Sequence, residues 1–463
     1  MTGRKAKKSI VWLMLVVFIV STLQFSFDSE AATAGWKQDS KGWWYQFADG
    51  SYAKDEWIQG HYLNKKGYWD KKWDGVWKKN KTGWWFQAGS WYPKNQWLKI
   101  SRKEYYFDAK GYMVTNRWIG QYYVNKDGVY TKKRSSTKPI VTPKTTQLKT
   151  PTYPSGSPAA KWGALQVKGT DLCSASGAKV QLKGVSTFGI TWSEGVYNIN
   201  QDAFKTIKGW GGNLIRIAVY TEESGGYCSD GNKATLDATV ANAVSYASNL
   251  GMYVIIDWHI LRDGNPKTHL TEAKQFFADM SYKYSNYDNV LYEICNEPNN
   301  ERGNVSWADI KSYADTIIPI IRENDDDAVI LVGTPNYSQN VDEVAANPVK
   351  QKKNVMYSLH FYAATHGDWL RNKLKTARSA GTPVFVTESN ICDASGDGWI
   401  DSNSAAAWKK LINDNNISFV GWSLCNKNEK AAFIKNSCSK HSGWTDSDLT
   451  ETGLYYKKWF QGK

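Results

Sequence analysis

Val290-Leu291-Tyr292-Glu293-Ile294-Cys295-Asn296-Glu297-Pro298 opens on β-branched and aromatic residues, turns polar at Asn296-Glu297 and stops at a proline. Such a run reads as a buried parallel strand that ends on a carboxylate. A second run, Val384-Phe385-Val386-Thr387-Glu388, likewise ends a β-branched stretch on a carboxylate. Around these two, further strand-like runs recur at 180–185, 214–219, 253–257, 329–332, 355–359 and 418–424. Helix-like stretches separate them, among them 236–250, 271–284 and 307–322. Eight strands alternating with helices over roughly 300 residues predict a (β/α)8 barrel, an α/β fold of the TIM type. Functional side chains then belong at the C-terminal strand ends. Arg216, His259, Asn296, Glu297, His360, Glu388 and Trp422 all collect there.

The chain changes character upstream of the barrel. From Gly35 to about Thr131 it repeats: Gly42-Trp43-Trp44 returns as Gly83-Trp84-Trp85. Shorter units recur within, as Tyr62-Leu63-Asn64-Lys65-Lys66-Gly67, Tyr106-Phe107-Asp108-Ala109-Lys110-Gly111 and Tyr123-Val124-Asn125-Lys126-Asp127-Gly128. Aromatic strand residues followed by Asn or Asp and Gly predict tight hairpins. One hairpin cannot bury its aromatic face, so stacked copies predict a small β-hairpin solenoid. Residues 132–160 are rich in Ser, Thr, Pro and Lys, the composition of a stiff, extended linker. At the start, Arg4, Lys5, Lys7 and Lys8 precede an apolar run from Ile10 to Val20, and Ala32-Thr33-Ala34 offers a cleavage site. That pattern predicts an export signal rather than a membrane span, which needs about 20 apolar residues. The expected division is a signal peptide over 1–34, hairpin repeats over 35–131, a linker over 132–160 and the barrel over 161–463.

The net charge of +14 is concentrated upstream of the barrel. Residues 35–160 hold 23 Lys and Arg against 9 Asp and Glu, whereas 161–463 hold 31 against 33. A basic, aromatic stretch also suits nucleic-acid binding. On an exported chain the expected partner is instead an anionic wall polymer or a polysaccharide, with no nucleic acid. The 24 Trp and 27 Tyr suit the C–H faces of sugars as well as a core. The six cysteines fit no zinc or redox spacing, and Cys295, Cys392 and Cys425 read as small buried apolar groups. No metal or cofactor motif is present. His61, His269 and His441 read as surface residues, and Asp263 and Asp393 as loop acids without a role.

Two carboxylates at strand ends of one barrel can face each other across a cleft, as cleavage of a glycosidic bond requires. The region from Trp162 to Phe460 resembles glycoside hydrolase family 5, and within it the bacterial endoglucanases. The likeness rests on Leu182-Lys183-Gly184-Val185-Ser186, Ile215-Arg216-Ile217, Asp257-Trp258-His259, Ile294-Cys295-Asn296-Glu297-Pro298, Leu359-His360-Phe361-Tyr362, Val386-Thr387-Glu388 and Trp422-Ser423-Leu424-Cys425-Asn426-Lys427-Asn428-Glu429. It implies a secreted, retaining endo-β-1,4-glucanase that needs no cofactor. Glu297 would be the acid/base and Glu388 the nucleophile. Arg216 and Tyr362 resemble the nucleophile's partners, Asn296 the group that holds the sugar 2-OH, and His259 and His360 polar neighbours. Trp422 resembles the ring beneath the reacting sugar. Trp192, Tyr220, Lys427 and Glu429 resemble the adjoining glucose subsite. Upstream, Gly111-Tyr112-Met113-Val114-Thr115-Asn116-Arg117-Trp118 resembles the cell-wall-binding or choline-binding repeats of bacterial surface proteins. This implies attachment to the wall or to glucan.

The chain departs from the family at two places. Phe188 stands where many relatives carry histidine, and Ser389-Asn390 stand where an aromatic and glycine are usual. Phe188 is expected to remove a polar contact to bound sugar, and Ser389-Asn390 to loosen packing under Glu388 or to reshape a subsite. They keep three alternatives in view. One is hydrolysis of another β-glycan (mannan, lichenan or xyloglucan). Another is a sugar-binding protein with a weakened barrel site. The last is a wall adhesin whose first 160 residues carry the activity, while the bland reading of the repeats is a rigid spacer.

Overall fold

The computed structural model describes residues 33–119, 122–133 and 140–463. The expected signal over 1–34 lies almost wholly outside them. The chain divides into two compact units between Ser136 and Thr137.

In the first unit Asn64, Asp108 and Asn125 each build the same turn. The side-chain oxygen of Asn64 accepts from the backbone N–H groups of Lys66 and Tyr68. That of Asp108 accepts from Lys110 and Tyr112, and that of Asn125 from Asp127 and Val129. Each turn closes on a glycine with positive φ: Gly67 at 88°, Gly111 at 87° and Gly128 at 74°. The repeated Asn/Asp-x-x-Gly spacing is therefore a repeated turn geometry. The turns link hairpins such as Glu56–Ile58 with His61–Leu63 and Gln96–Ile100 with Lys103–Phe107. Six strands form one sheet, flanked by a two-stranded and a three-stranded sheet. Trp57, Phe86 and the pair Ile100 and Phe107 come from three hairpins and share one small core, so no hairpin buries its face alone.

The second unit is a closed barrel of eight parallel strands. They are β1 Lys183–Thr187, β2 Leu214–Tyr220, β3 Tyr253–His259, β4 Val290–Glu293, β5 Ile330–Val332, β6 Val355–Tyr362, β7 Val384–Asn390 and β8 Phe419–Leu424. Side chains alternate in and out with period two. On β3, Val254, Ile256 and Trp258 pack outward in the large helix-facing core, while Tyr253 and Ile255 fill the barrel floor. Leu214, Leu291, Leu331, Met356, Phe385 and Val420 complete that floor. The next inward positions are polar: Arg216, Asp257, Glu293, Ser358 and His360, all buried. The barrel is thus apolar at its base and charged toward its mouth. Among the described residues no helix is long and apolar enough to cross a membrane.

The Pro-rich segment is packed over much of its length. From 140 to 157 it runs along the barrel's outer helices, with the Leu148 N–H donating to the Lys283 carbonyl at 2.9 Å. The Tyr153 hydroxyl donates to Asn289 at 2.9 Å, and Val141 and Leu148 pack on the outer core. All six cysteines are free thiols, and those at 295, 392 and 425 are buried, as expected of small apolar groups.

Candidate active site

Glu293 is the last residue of β4, and the chain continues through Ile294-Cys295-Asn296 to place Glu297 at the barrel mouth. Glu388 comes from β7 by a different device. Ser358 pairs with Phe385, but His360 pairs with Glu388, so β7 holds one extra residue between them. This bulge resets the alternation and turns Glu388 inward, although Phe385 three positions earlier also faces inward. Oxygens of Glu297 and Glu388 and a nitrogen of His360 all lie within 4.8 Å of one another.

Each carboxylate is held differently. The Arg216 guanidinium donates from Nη1 to Glu388 Oε2 at 3.1 Å, and the Tyr362 hydroxyl donates to Oε1 at 2.8 Å. Burial, followed by the nearby Glu388 and Glu297, keeps the Tyr362 phenol well above its ordinary pKa, so it stays a donor. Glu297 meets His360 Nδ1 at 2.8 Å, and His360 Nε2 meets the Thr387 hydroxyl at 2.9 Å. Burial alone would lower the His360 pKa. The Glu293 carboxylate 3.8 Å away and the bond to Glu297, with the field of Glu388, raise it to about 9. In the protonated ring Nδ1–H donates to Glu297 and Nε2–H to the Thr387 hydroxyl.

Arg216 is fully buried and organises the layer beneath. Nε donates to Glu293 at 2.7 Å, and Nη2 reaches Asn296 Oδ1 at 2.5 Å and Asp257 at 3.1 Å. Burial would lower the guanidinium's pKa, but Asp257, Glu293 and Glu388 raise it instead. Its acidic partners diverge. Burial would raise Glu293, yet Arg216 and His360 bring it down to about 2, and Ser358 donates to it at 2.8 Å. Asp257 is pushed well above the ordinary carboxylate range by burial, and its Oδ1 has no hydrogen-bond partner among the described residues. Burial, then Arg216, pushes His259 well below its ordinary pKa, so its ring is neutral. The tautomer follows from Asn296. Because Asn296 Oδ1 accepts from Arg216, Nδ2 must donate to His259 Nε2 at 3.2 Å. That leaves Nδ1–H to face Asp257 at 2.6 Å.

The cleft above measures about 690 Å3. At one side Trp192 packs on Tyr220 at 4.6 Å and on Phe188 at 5.3 Å, and Phe188 meets Trp422 at 5.8 Å. Trp422 stacks on His259 at 5.3 Å and 18°. The peptide after Trp422 is cis. Lys427 pairs with Glu429 at 2.5 Å, and both line the cleft. All twelve residues singled out from the sequence thus belong to one connected site. Of these, Arg216 and Asn296 lie below the cleft surface, behind Glu388 and His259.

Phe188 therefore extends the aromatic wall. Ser389 and Asn390 do not loosen the packing under Glu388. Ser389 bonds the Val420 carbonyl and the Tyr456 hydroxyl, each at 2.8 Å. Asn390 donates to the carbonyls of Trp422 and Ala431. Both are fully buried ties between β7 and β8.

Sequence reasoning missed the opposite wall. Asn336, Tyr337 and Ser338 have φ of 56°, 57° and 56° in succession. Non-glycine residues in this region cost on the order of 1 kcal/mol each, so the conformation must be held from outside. The Tyr337 N–H donates to the Pro298 carbonyl at 2.9 Å, and Ser338 Oγ donates to the Asn296 carbonyl at 2.6 Å. The Tyr337 hydroxyl donates to Glu301 at 2.7 Å, and all of Asn336, Tyr337 and Glu301 line the cleft. No glycine marks this turn. Asn336, which tolerates such φ, was the available signal.

Comparison with known proteins agrees with this geometry. The profile of the family "Cellulase (glycosyl hydrolase family 5)" matches residues 173–428, and that of a choline-binding repeat matches residues 92–130. An endoglucanase of Clostridium saccharobutylicum is 46% identical over 316 residues, covering 68% of this chain and 68% of its own length. Endoglucanase A of Butyrivibrio fibrisolvens is 41% identical over 298 residues, or 64% of this chain and 68% of its own. Among solved structures, the catalytic domain of Thermobifida fusca endoglucanase Cel5A superposes with a TM-score of 0.62. It is 37% identical and covers 66% of this chain and 100% of that domain.

Proposed function

The chain belongs to glycoside hydrolase family 5 and is an endoglucanase, and from that premise we propose that it cuts internal β-1,4-glucosidic bonds of cellulose or related β-glucans with retention of configuration. The spacing of Glu297 and Glu388 carries the proposal. Retaining enzymes hold their carboxyl groups about 5–5.5 Å apart, while inverting enzymes need about 6.5–9.5 Å to admit a water. Oxygens within 4.8 Å suit direct attack.

In the first step an oxygen of Glu388 forms a bond to the anomeric carbon as the glycosidic C–O bond breaks. Glu297 delivers its proton to the departing oxygen, which leaves as a new hydroxyl. In the second step Glu297 takes a proton from water, and that water's oxygen displaces Glu388 from the anomeric carbon. Arg216 and Tyr362 each grip one oxygen of Glu388, which fixes its direction of attack. His360 holds Glu297 within reach of the glycosidic oxygen. Asn296 is pinned between Arg216 and His259 below the cleft surface, so a contact with the sugar 2-OH, which would strengthen in the transition state, requires its amide to turn toward the cleft. Trp422 offers a face to the reacting sugar, with Trp192, Tyr220, Lys427 and Glu429 serving the next glucose.

A substrate panel of carboxymethylcellulose, lichenan, mannan and xyloglucan tests the reading. Wild type should release reducing ends fastest from the β-1,4-glucan. Glu388→Gln should release almost none, and Glu297→Gln should lose about 10²–10⁴-fold. Release by Glu388→Gln at the wild-type rate contradicts the proposal.

The repeats support a second element of the proposal: export followed by retention at a wall polymer or at glucan. A cleft of about 620 Å3 there is lined by Trp57, Tyr62, Trp91 and Trp97, with Asp55 and Glu104 and also Lys54 and Lys99 beside them. Aromatic faces with mixed polar neighbours suit a sugar or a quaternary ammonium group.

A further inference from the structure

Beside the cleft, three side chains from two loops converge without bonding to one another. Glu222 follows β2, whereas Asp263 follows β3 and His269 directly precedes the helix Leu270–Lys283. His269 Nε2 lies 3.7 Å from Glu222 Oε2 and 3.9 Å from Asp263 Oδ2, both too long for hydrogen bonds. Each of these three atoms is buried and lacks a hydrogen-bond partner among the described residues. Asp263 is the decisive one, since its side chain is 1% exposed and its free oxygen points at the imidazole. An unsatisfied buried carboxylate oxygen costs roughly 1–3 kcal/mol or more, and three such atoms at one point need a common partner.

We propose that Glu222 Oε2, Asp263 Oδ2 and His269 Nε2 bind one divalent metal ion of the zinc type. Ligand atoms about 2.0–2.2 Å from one ion sit roughly 3–3.6 Å apart, close to the 3.7 and 3.9 Å of the two histidine contacts, and all three atoms lie within 4.8 Å of one another. An imidazole nitrogen with two carboxylates favours zinc or manganese over calcium or magnesium, which prefer oxygen alone. The outer oxygens are already oriented for this. Arg302 holds Glu222 Oε1, and Thr221 donates to Asp263 Oδ1 at 2.6 Å. Such supporting bonds fix ligand geometry around metals. The ion would join the loops after β2 and β3. Those loops also meet where the Arg262 N–H donates to Glu223 at 3.0 Å, and both of these residues line the cleft. No sequence motif marks this site, because the ligands lie in two loops at no recognised spacing.

The test is calorimetric titration of the chelator-treated full chain with zinc and, separately, with calcium. One zinc per chain is expected, with a rise in thermal midpoint and weak or no calcium binding. His269→Ala should weaken zinc binding at least about tenfold. Glu222→Gln, at a partly exposed position, should do the same and serves if the first variant fails to fold. The Glu297–His360–Glu388 group is the competing site. Zinc binding should therefore persist unchanged in Glu388→Gln. Absence of zinc binding by wild type, a calcium preference, loss of binding in Glu388→Gln, or wild-type affinity in folded His269→Ala or Glu222→Gln would each overturn the proposal.

Discussion

His360 shows how one side chain couples stability to chemistry. Its folded pKa of about 9 lies above the unfolded value near 6.5. The stabilisation this provides is complete below about pH 6.5, declines as pH rises, and is gone above about pH 9. Urea unfolding at pH 6 and pH 9 should therefore show an alkaline loss in wild type that is smaller in His360→Gln. Glu293 acts at the other extreme. With a folded pKa of about 2, its contribution is present above about pH 4.5 and is lost as pH falls through 2. Replacing it by Gln leaves Arg216 short of a buried partner. Breaking such a pair costs about 3–5 kcal/mol, measurable as a shift in the urea midpoint at pH 7. The sequence marked these residues by type, because polar groups at strand ends of a parallel barrel stand out against apolar neighbours. It did not mark their protonation states. Asp257 and Glu293 both face Arg216, yet Ser358 and His360 attend only Glu293, and that difference exists only in three dimensions.

At the scale of elements, strands were legible and their irregularities were not. Thr387-Glu388 read as a strand end, but the bulge that aims Glu388 depends on how β6 and β7 pair. A one-residue register change has no local sequence signature. The αL turn at Asn336-Tyr337-Ser338 was hidden for the same reason, being imposed by Pro298 and Asn296 from another loop. Ser389-Asn390 departs from the family pattern, and its buried hydrogen bonds explain how that departure is accommodated. Asn390→Ala would leave two buried carbonyls, of Trp422 and Ala431, without this donor. About 2 kcal/mol of stability should be lost, read from denaturant unfolding, and Trp422 should shift in fluorescence.

At the scale of the molecule, two units and a packed strap divide the work. The repeats were legible because each copy restates the same turn chemistry. The strap was read as a linker from composition, which registers proline but not the Leu148 and Tyr153 contacts that lay it against the barrel. Two truncations separate the parts. A chain beginning near Ile140 should keep wild-type kcat on soluble β-glucan and lose binding to walls or insoluble glucan. A chain beginning at Lys161 should have a lower thermal midpoint than the first, since it lacks those strap contacts.

The central claim is that Glu388 attacks the sugar directly while Glu297 moves the proton. Time-resolved proton NMR of the first products from cellotetraose tests it most directly. The account predicts that the β-anomer accumulates first and then mutarotates to the α form. Initial appearance of the α-anomer would mean single displacement by water, and would contradict it.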